Sequence, residues 1–152
     1  MSKVKIYIKS ILIPLILGSI IGFITSGSMN YSNLIKPVLS PPAILFPIVW
    51  TILYTLMGVS FGILESNNLV DRNVKIIYYS QLAINLFWPI LFFTFEARLF
   101  AAIWLAILII LVALMITIFY SKNKVSGLLQ IPYILWCSFA LYLNIFTYIL
   151  NK

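Results

Sequence analysis

Marking every Lys, Arg, Asp and Glu divides the chain into charge-free runs at 10–35, 37–64, 76–95, 99–121 and 125–151, each 20 residues or longer. A helix advances about 1.5 Å per residue, so about 20 apolar residues cross the roughly 30 Å hydrocarbon core of a bilayer. Five runs therefore predict five spans. They are continuously apolar, without the period-2 alternation over about 10 residues that barrel strands show, which favours helices. The 152 residues are 63% hydrophobic and 9% charged, against roughly a quarter charged in an ordinary soluble domain. A soluble fold of this size has too little interior to hide that much apolar surface. The expected fold class is an all-α membrane protein, a five-transmembrane-helix bundle forming one domain over residues 1–152, with helices near 7–26, 44–64, 75–95, 99–120 and 127–150.

The first run also has the outline of a cleavable signal peptide, with Lys3, Lys5 and Lys9 before it and Ser26, Gly27 and Ser28 after it. Its uncharged stretch exceeds a usual signal core, and Gly18, Gly22 and Ser26 recur every four positions, a spacing that suits close helix packing. A retained helix with a small-residue ridge is the reading adopted. The net charge of +7 does not mark a nucleic-acid surface, because the cations stand at the ends of the spans, where they anchor a membrane protein. With the helices above, one side of the membrane collects Lys3, Lys5, Lys9, Arg72, Lys75, Lys122 and Lys124, and the other only Lys36, Arg98 and Lys152. The positive-inside rule then places the N-terminus in the cytoplasm of a cell-membrane protein. A single cysteine, Cys137, and the absence of histidine rule out an intrachain disulfide and disfavour zinc, histidine-ligated haem and Ser-His-Asp chemistry. No metal site or cofactor is expected.

The one long connection, 27–43, carries Lys36-Pro37 and Pro41-Pro42, so it should be stiff and non-helical. The later connections are short and force sequential helices into antiparallel neighbours. Polar groups inside a bilayer are costly when they face lipid and normally turn inward. Tyr78, Gln81, Asn85, Trp88 and Phe92 fall at steps of three and four and share a face of the third helix. Phe46, Trp50, Tyr54, Met57 and Phe61 do so on the second, and Tyr133, Trp136, Ala140, Asn144 and Thr147 on the fifth, where small Ala140 leaves room between bulky neighbours. Gln81, Asn85 and Asn144 read equally well as interhelical glue and as ligand contacts. The indoles and phenols around them tilt the whole toward a pocket for a large planar ligand. Tyr31, Tyr120 and Tyr148 lie near span ends, where tyrosines also serve as interfacial anchors. Glu65, Asp71 and Glu96 all lie at ends or in loops, which disfavours proton-coupled export through a buried carboxylate.

Three ordered blocks carry a resemblance. Lys36-Pro37 and Pro41-Pro42 lead into Phe46, Val49-Trp50, Leu53-Tyr54 and Met57-Gly58; then come Gln81-Leu82, Asn85, Trp88-Pro89 and Phe92-Phe93; then Pro132-Tyr133, Trp136, Phe139-Ala140 and Leu143-Asn144. Over nearly its whole length the chain resembles the TspO/MBR family, the translocator or tryptophan-rich sensory proteins. The resemblance implies a five-helix bundle, usually a homodimer, with an internal pocket that is closed by the first loop and binds tetrapyrroles such as protoporphyrin IX. Sterols and isoquinoline or benzodiazepine ligands are also implied. By position, Trp50 and Asn85 match the family's ligand-contacting residues, and Tyr31, Trp50 and Trp136 match those implicated in bacterial porphyrin degradation. Trp104 stands roughly where many bacterial members carry an acidic residue, so that acid's role does not transfer. Leu143, Tyr148 and Lys152 fit the loose sterol-contact pattern, which is common by chance.

Taken together, these observations predict a membrane tetrapyrrole-binding protein with a site drawn from Tyr31, Phe46, Trp50, Tyr54, Gln81, Asn85, Trp88, Tyr133, Trp136, Ala140 and Asn144. Its partners are the porphyrin, membrane lipid and a second copy of the chain. Passive binding and light- and oxygen-dependent breakdown, with Tyr31, Trp50 and Trp136 as electron donors, both remain open. The alternatives are a sterol- or lipid-binding protein and a transporter; the transporter's signature is broken helices or paired repeats at the bilayer centre. Pro89 and Pro132 are the candidate breaks, and no repeat accompanies them.

Overall fold

The computed structural model describes residues 2–26 and 33–152. Tyr31, Gly27 and Ser28 lie outside the described residues. Helix α1 spans Lys3–Ser26, α2 Leu45–Ser66, α3 Arg72–Pro89, α4 Arg98–Lys122, α5 Lys124–Leu128 and α6 Ile131–Asn151. With α5 and α6 forming one span, five units among the described residues are long and apolar enough to cross a membrane. The chain is an all-α, multi-pass membrane protein.

Local chemistry explains where the helices depart from the expected bounds. The third starts at Arg72 rather than 75 because the Asp71 carboxylate caps it, accepting from the Val74 N–H at 2.9 Å. The Lys122 ammonium, 2.6 Å away, and the Val74 N–H hold the Asp71 carboxyl below its usual value. The same helix does not run smoothly to 95. Pro89 ends its α-helical part, and Ile90–Thr94 form a π-helical turn closed by Phe95 N–H donating to Ile90 O at 3.0 Å. The fifth span, expected as one helix over 127–150, is divided. Asn123 caps α5 by accepting from the Ser126 N–H at 3.1 Å, and Pro132 sits in the first turn of α6, where its missing N–H costs nothing. Both breaks lie near helix ends and not at the bilayer centre where a transporter's broken helices bind substrate.

Helix α1 packs most closely on α2 and also meets α3, while α4 packs against α3, α5 and α6. Small residues set the α1–α2 approach. A Cβ added at Gly58 would lie 2.5 Å from Ile11 Cα and from Ser10 O, and one at Gly62 2.7 Å from the Tyr7 ring. Pro14 contributes from the other side, since its missing N–H leaves the Ser10 carbonyl without its helical donor and the bare Cα of Gly58 can face it. The Gly18, Gly22, Ser26 ridge holds only in part. A Cβ at Gly18 would lie 2.3 Å from the Tyr54 ring, but one at Gly22 would meet nothing within 4 Å, and Ser26 is exposed. Ser60 and Ser126 fasten α2 to α5 reciprocally, each hydroxyl donating to the other's carbonyl, at 2.6 and 2.8 Å. The core between helices is closed by Met57, Leu64, Val74, Leu105, Val112, Met115 and Phe119, while Ile8, Leu12, Ile16, Ile20 and Phe23 of α1 stay exposed as a lipid-facing stripe.

Candidate ligand site

The backbones of α2, α3 and α6 make no close mutual approach comparable to that of α1 with α2 among the described residues. Large side chains span the gap instead. Between them runs a continuous polar chain: Tyr54 OH donates to Asn85 Oδ1 at 2.7 Å, Asn85 Nδ2 donates to Tyr133 OH at 2.6 Å, and Tyr133 OH donates to Gln81 Oε1 at 2.7 Å. Gln81 Nε2 completes it by donating to Tyr78 O at 2.8 Å. All four side chains are buried. Each hydroxyl and amide thus finds the partner that its burial demands. One side chain from α2, two from α3 and one from α6 are thereby held in a fixed relation.

Above this chain the rings gather. Trp50 lies 5.5 Å from Tyr54 and meets Tyr133 edge-on at 6.3 Å, and Phe46 meets Trp136 edge-on at 5.9 Å. The Trp136 ring also lies 5.5 Å from Phe139. Trp136 Nε1 is buried and has no hydrogen-bond partner among the described residues. Beside it an open apolar groove of ≈ 390 Å³ runs between α2 and α6, walled by Val49, Ile52, Leu53, Pro132, Leu135, Trp136 and Phe139.

The remaining residues of the expected site form a second group toward the other end of α3. Trp88 Nε1 donates to Asn144 Oδ1 at 2.9 Å, and Asn144 Nδ2 donates to Arg98 O at 2.8 Å, so these two join α3, α4 and α6. Here the glue reading of Asn144 describes what the side chain does. Trp88 stacks on Phe92 at 5.2 Å, and the Arg98 guanidinium lies 5.8 Å from the Phe92 centroid. Ala140 is buried on the α6 face between the two groups. Trp104 donates from Nε1 to Ile84 O at 2.7 Å and ties α4 to α3.

Residues 33–44 reach back over this end of the bundle. Ile35 N–H donates to Asn151 Oδ1 at 2.9 Å, Asn151 Nδ2 donates to Ile35 O at 2.8 Å, and Tyr142 OH donates to Val38 O. Leu39 takes a left-handed φ of 73°, at a cost of about 1–3 kcal/mol. The turn around it is closed by Ser40, whose N–H and hydroxyl both donate to Pro37 O, at 3.3 and 2.8 Å.

Sequence reasoning had not identified the groove walls Ile52, Leu53, Leu135 and Phe139. Their signal is the spacing Pro132, Leu135, Trp136, Phe139, an i, i+3, i+4, i+7 set that shares one face; a purely apolar face does not tell a binding groove from a lipid contact. The acceptor role of the Arg98 carbonyl has no sequence signal.

Comparison with known proteins agrees with this architecture. The TspO/MBR family profile matches residues 10–149. The chain is 37% identical to the tryptophan-rich protein TspO of Archaeoglobus fulgidus, over 95% of each chain. It is 32% identical to protein CrtK of Rhodobacter capsulatus, over 86% of this chain and 83% of that one. With the translocator protein homolog of Schizosaccharomyces pombe it shares 32% identity, over 92% of this chain and 88% of the relative. Profile match, identities and five spans lead to one conclusion: the chain belongs to the TspO/MBR family.

Proposed function

We propose that the chain binds a planar tetrapyrrole of the protoporphyrin type between α2, α3 and α6, with its rings against Trp50 and Trp136. The observation that carries this reading is the buried Trp136 Nε1, without a hydrogen-bond partner among the described residues, beside Phe46 and the α2–α6 groove. A buried indole N–H normally finds an acceptor, and a ligand's pyrrole nitrogen or carboxylate supplies one. The groove's ≈ 390 Å³ falls within the range of small-molecule sites. Its walls Ile52 and Leu135 are exposed, which leaves it accessible to a ligand dissolved in lipid. The Tyr54–Asn85–Tyr133–Gln81 chain is satisfied without a ligand, so it serves as a fixed floor that holds the three helices apart. The segment over the bundle end, tied to Asn151 and Tyr142, acts as a cover. Flat isoquinoline and benzodiazepine ligands suit the same rings.

In this reading the protein works as a homodimer in the cell membrane with its N-terminus in the cytoplasm, an orientation supported by the cations gathered at that end. Relatives named as a translocator protein homolog and as a tryptophan-rich sensory protein suggest that the bound state is either moved or read. Helix breaks confined to helix ends favour a sensing role over transport. The test is a titration of protoporphyrin IX, followed at its Soret band, into the detergent-solubilised chain and its Trp50→Ala and Trp136→Ala variants. Each variant should bind about tenfold more weakly or worse, because an indole supplies stacking of about 0.5–1.5 kcal/mol in addition to its burial and 1.4 kcal/mol is tenfold. Unchanged affinity in both variants contradicts the assignment.

A further inference from the structure

We propose a second binding site, which holds the phosphodiester headgroup of an anionic phospholipid between Lys9 of α1, Lys75 of α3 and the hydroxyl of Tyr78. A partly enclosed cavity of ≈ 280 Å³ lies where α1, the end of α2 and the start of α3 meet, and its walls include Lys9, Ser10, Phe61, Glu65, Lys75 and Tyr78. Tyr78 is only 2% exposed, yet its hydroxyl has no partner among the described residues. Its ring is clamped by Phe61 at 4.4 Å and Phe119 at 6.1 Å, so the hydroxyl cannot swing to water. A buried polar group of this kind calls for a partner that the described residues do not supply.

The charges fit one class of ligand. Neither Lys9 nor Lys75 has a salt-bridge partner among the described residues, and nearby Asp71 is engaged by Lys122. Glu65 accepts from the Ser10 hydroxyl at 3.3 Å, and its charge leaves the three ionised groups at a net single positive. A phosphodiester carries one negative charge, and two ammonium groups and a phenol are donors for its oxygens. A glycerol hydroxyl on the same headgroup can donate to the Glu65 carboxylate.

Depth fits as well. Lys9, Glu65 and Lys75 are the residues at which the charge-free runs 10–35, 37–64 and 76–95 begin or end, which sets the cavity at the level of the headgroups and leaves the acyl chains to the bilayer. At ≈ 280 Å³ the space is below that of typical drug-sized sites, so a tetrapyrrole does not compete for it.

The experiment is native mass spectrometry of the full chain released from uncharged detergent, after incubation with phosphatidylglycerol, phosphatidylcholine of the same chains, or inorganic phosphate. Retention of one phosphatidylglycerol per chain is expected, with a preference over phosphatidylcholine of about tenfold. The Lys9→Gln/Lys75→Gln variant should lose that preference, while Lys3→Gln/Lys124→Gln, with the same charge change at the same end, should keep it. Tyr78→Phe should lower retention of the lipid and, by deleting the orphan hydroxyl, raise the thermal midpoint of the lipid-free protein. Equal loss in the two lysine pairs reduces the effect to general surface charge and overturns the site. Equal retention of phosphatidylcholine, or displacement of the lipid by millimolar inorganic phosphate, overturns the assignment to an anionic lipid headgroup.

Discussion

Alanine at Gly58 should lower the unfolding midpoint of the detergent-solubilised protein by roughly 4–8 °C. The added methyl would lie 2.5 Å from Ile11 Cα and Ser10 O, both backbone atoms of α1, which cannot rotate away as a side chain can. Overpacking typically costs about 1–3 kcal/mol, and a clash between two backbones belongs at the upper end or beyond. Alanine returns up to about 1 kcal/mol in helix propensity, leaving about 2 kcal/mol, and each kcal/mol moves the midpoint of a chain this size by about 2–4 °C. Gly22→Ala is the control. Its Cβ meets nothing within 4 Å, so its midpoint should stay or rise, and Gly22→Leu should likewise be tolerated. Thermal unfolding of the three variants beside the parent chain checks this; equal losses at Gly58 and Gly22 would remove the backbone contact as the reason for the α1–α2 approach.

That pair of glycines also marks what the sequence made legible. Five spans followed from charge placement because the bilayer forbids unpaired charge, and five helical units among the described residues are long and apolar enough to cross a membrane. The small-residue spacing on α1 was visible, but periodicity names a face and not its partner. The residues that decide the approach are Gly58 and Gly62 on α2, whose spacing is the same small-xxx-small signal. The π-helical turn after Pro89 and the division before Pro132 trace to prolines already visible, yet whether a proline kinks, ends or merely tilts a span depends on which neighbours satisfy the freed carbonyls. The aromatic and amide stripes pointed to faces whose Trp50, Tyr54, Asn85 and Tyr133 side chains lie against one another. They did not reveal that the Tyr54 and Tyr133 hydroxyls would satisfy the Asn85 and Gln81 amides, because a hydrogen-bond partner across helices depends on rotation and depth.

The second large effect concerns chemistry on a bound porphyrin. Under illumination in air, Trp50→Phe and Trp136→Phe should each reduce steady product formation from protoporphyrin IX to background, while affinity falls by about tenfold at most. A phenyl ring keeps most of the stacking, which is worth about 0.5–1.5 kcal/mol per pair, but it cannot give up an electron as an indole does. Trp50 lies beside two phenols, Tyr54 and Tyr133, at 5.5 and 6.3 Å, which can refill an oxidised indole. Among the described residues, Trp136 has the rings of Phe46 and Phe139 beside it. Binding titrations beside product analysis under light provide the check. Proportional loss of binding and product assigns the rings to a passive cage.

The central claim is positional: the tetrapyrrole lies against Trp50 and Trp136, between α2, α3 and α6. The most direct measurement is a brief, low-dose illumination of the protein with one bound protoporphyrin IX, followed by peptide mass spectrometry of the oxidised side chains. The excited ring makes its reactive oxygen where it sits, so oxidation should appear first at Trp50 and Trp136, with Trp104, bonded to Ile84 O on the α3–α4 side, modified last. Early oxidation centred on Trp104, or spread evenly over all four tryptophans, would contradict the account.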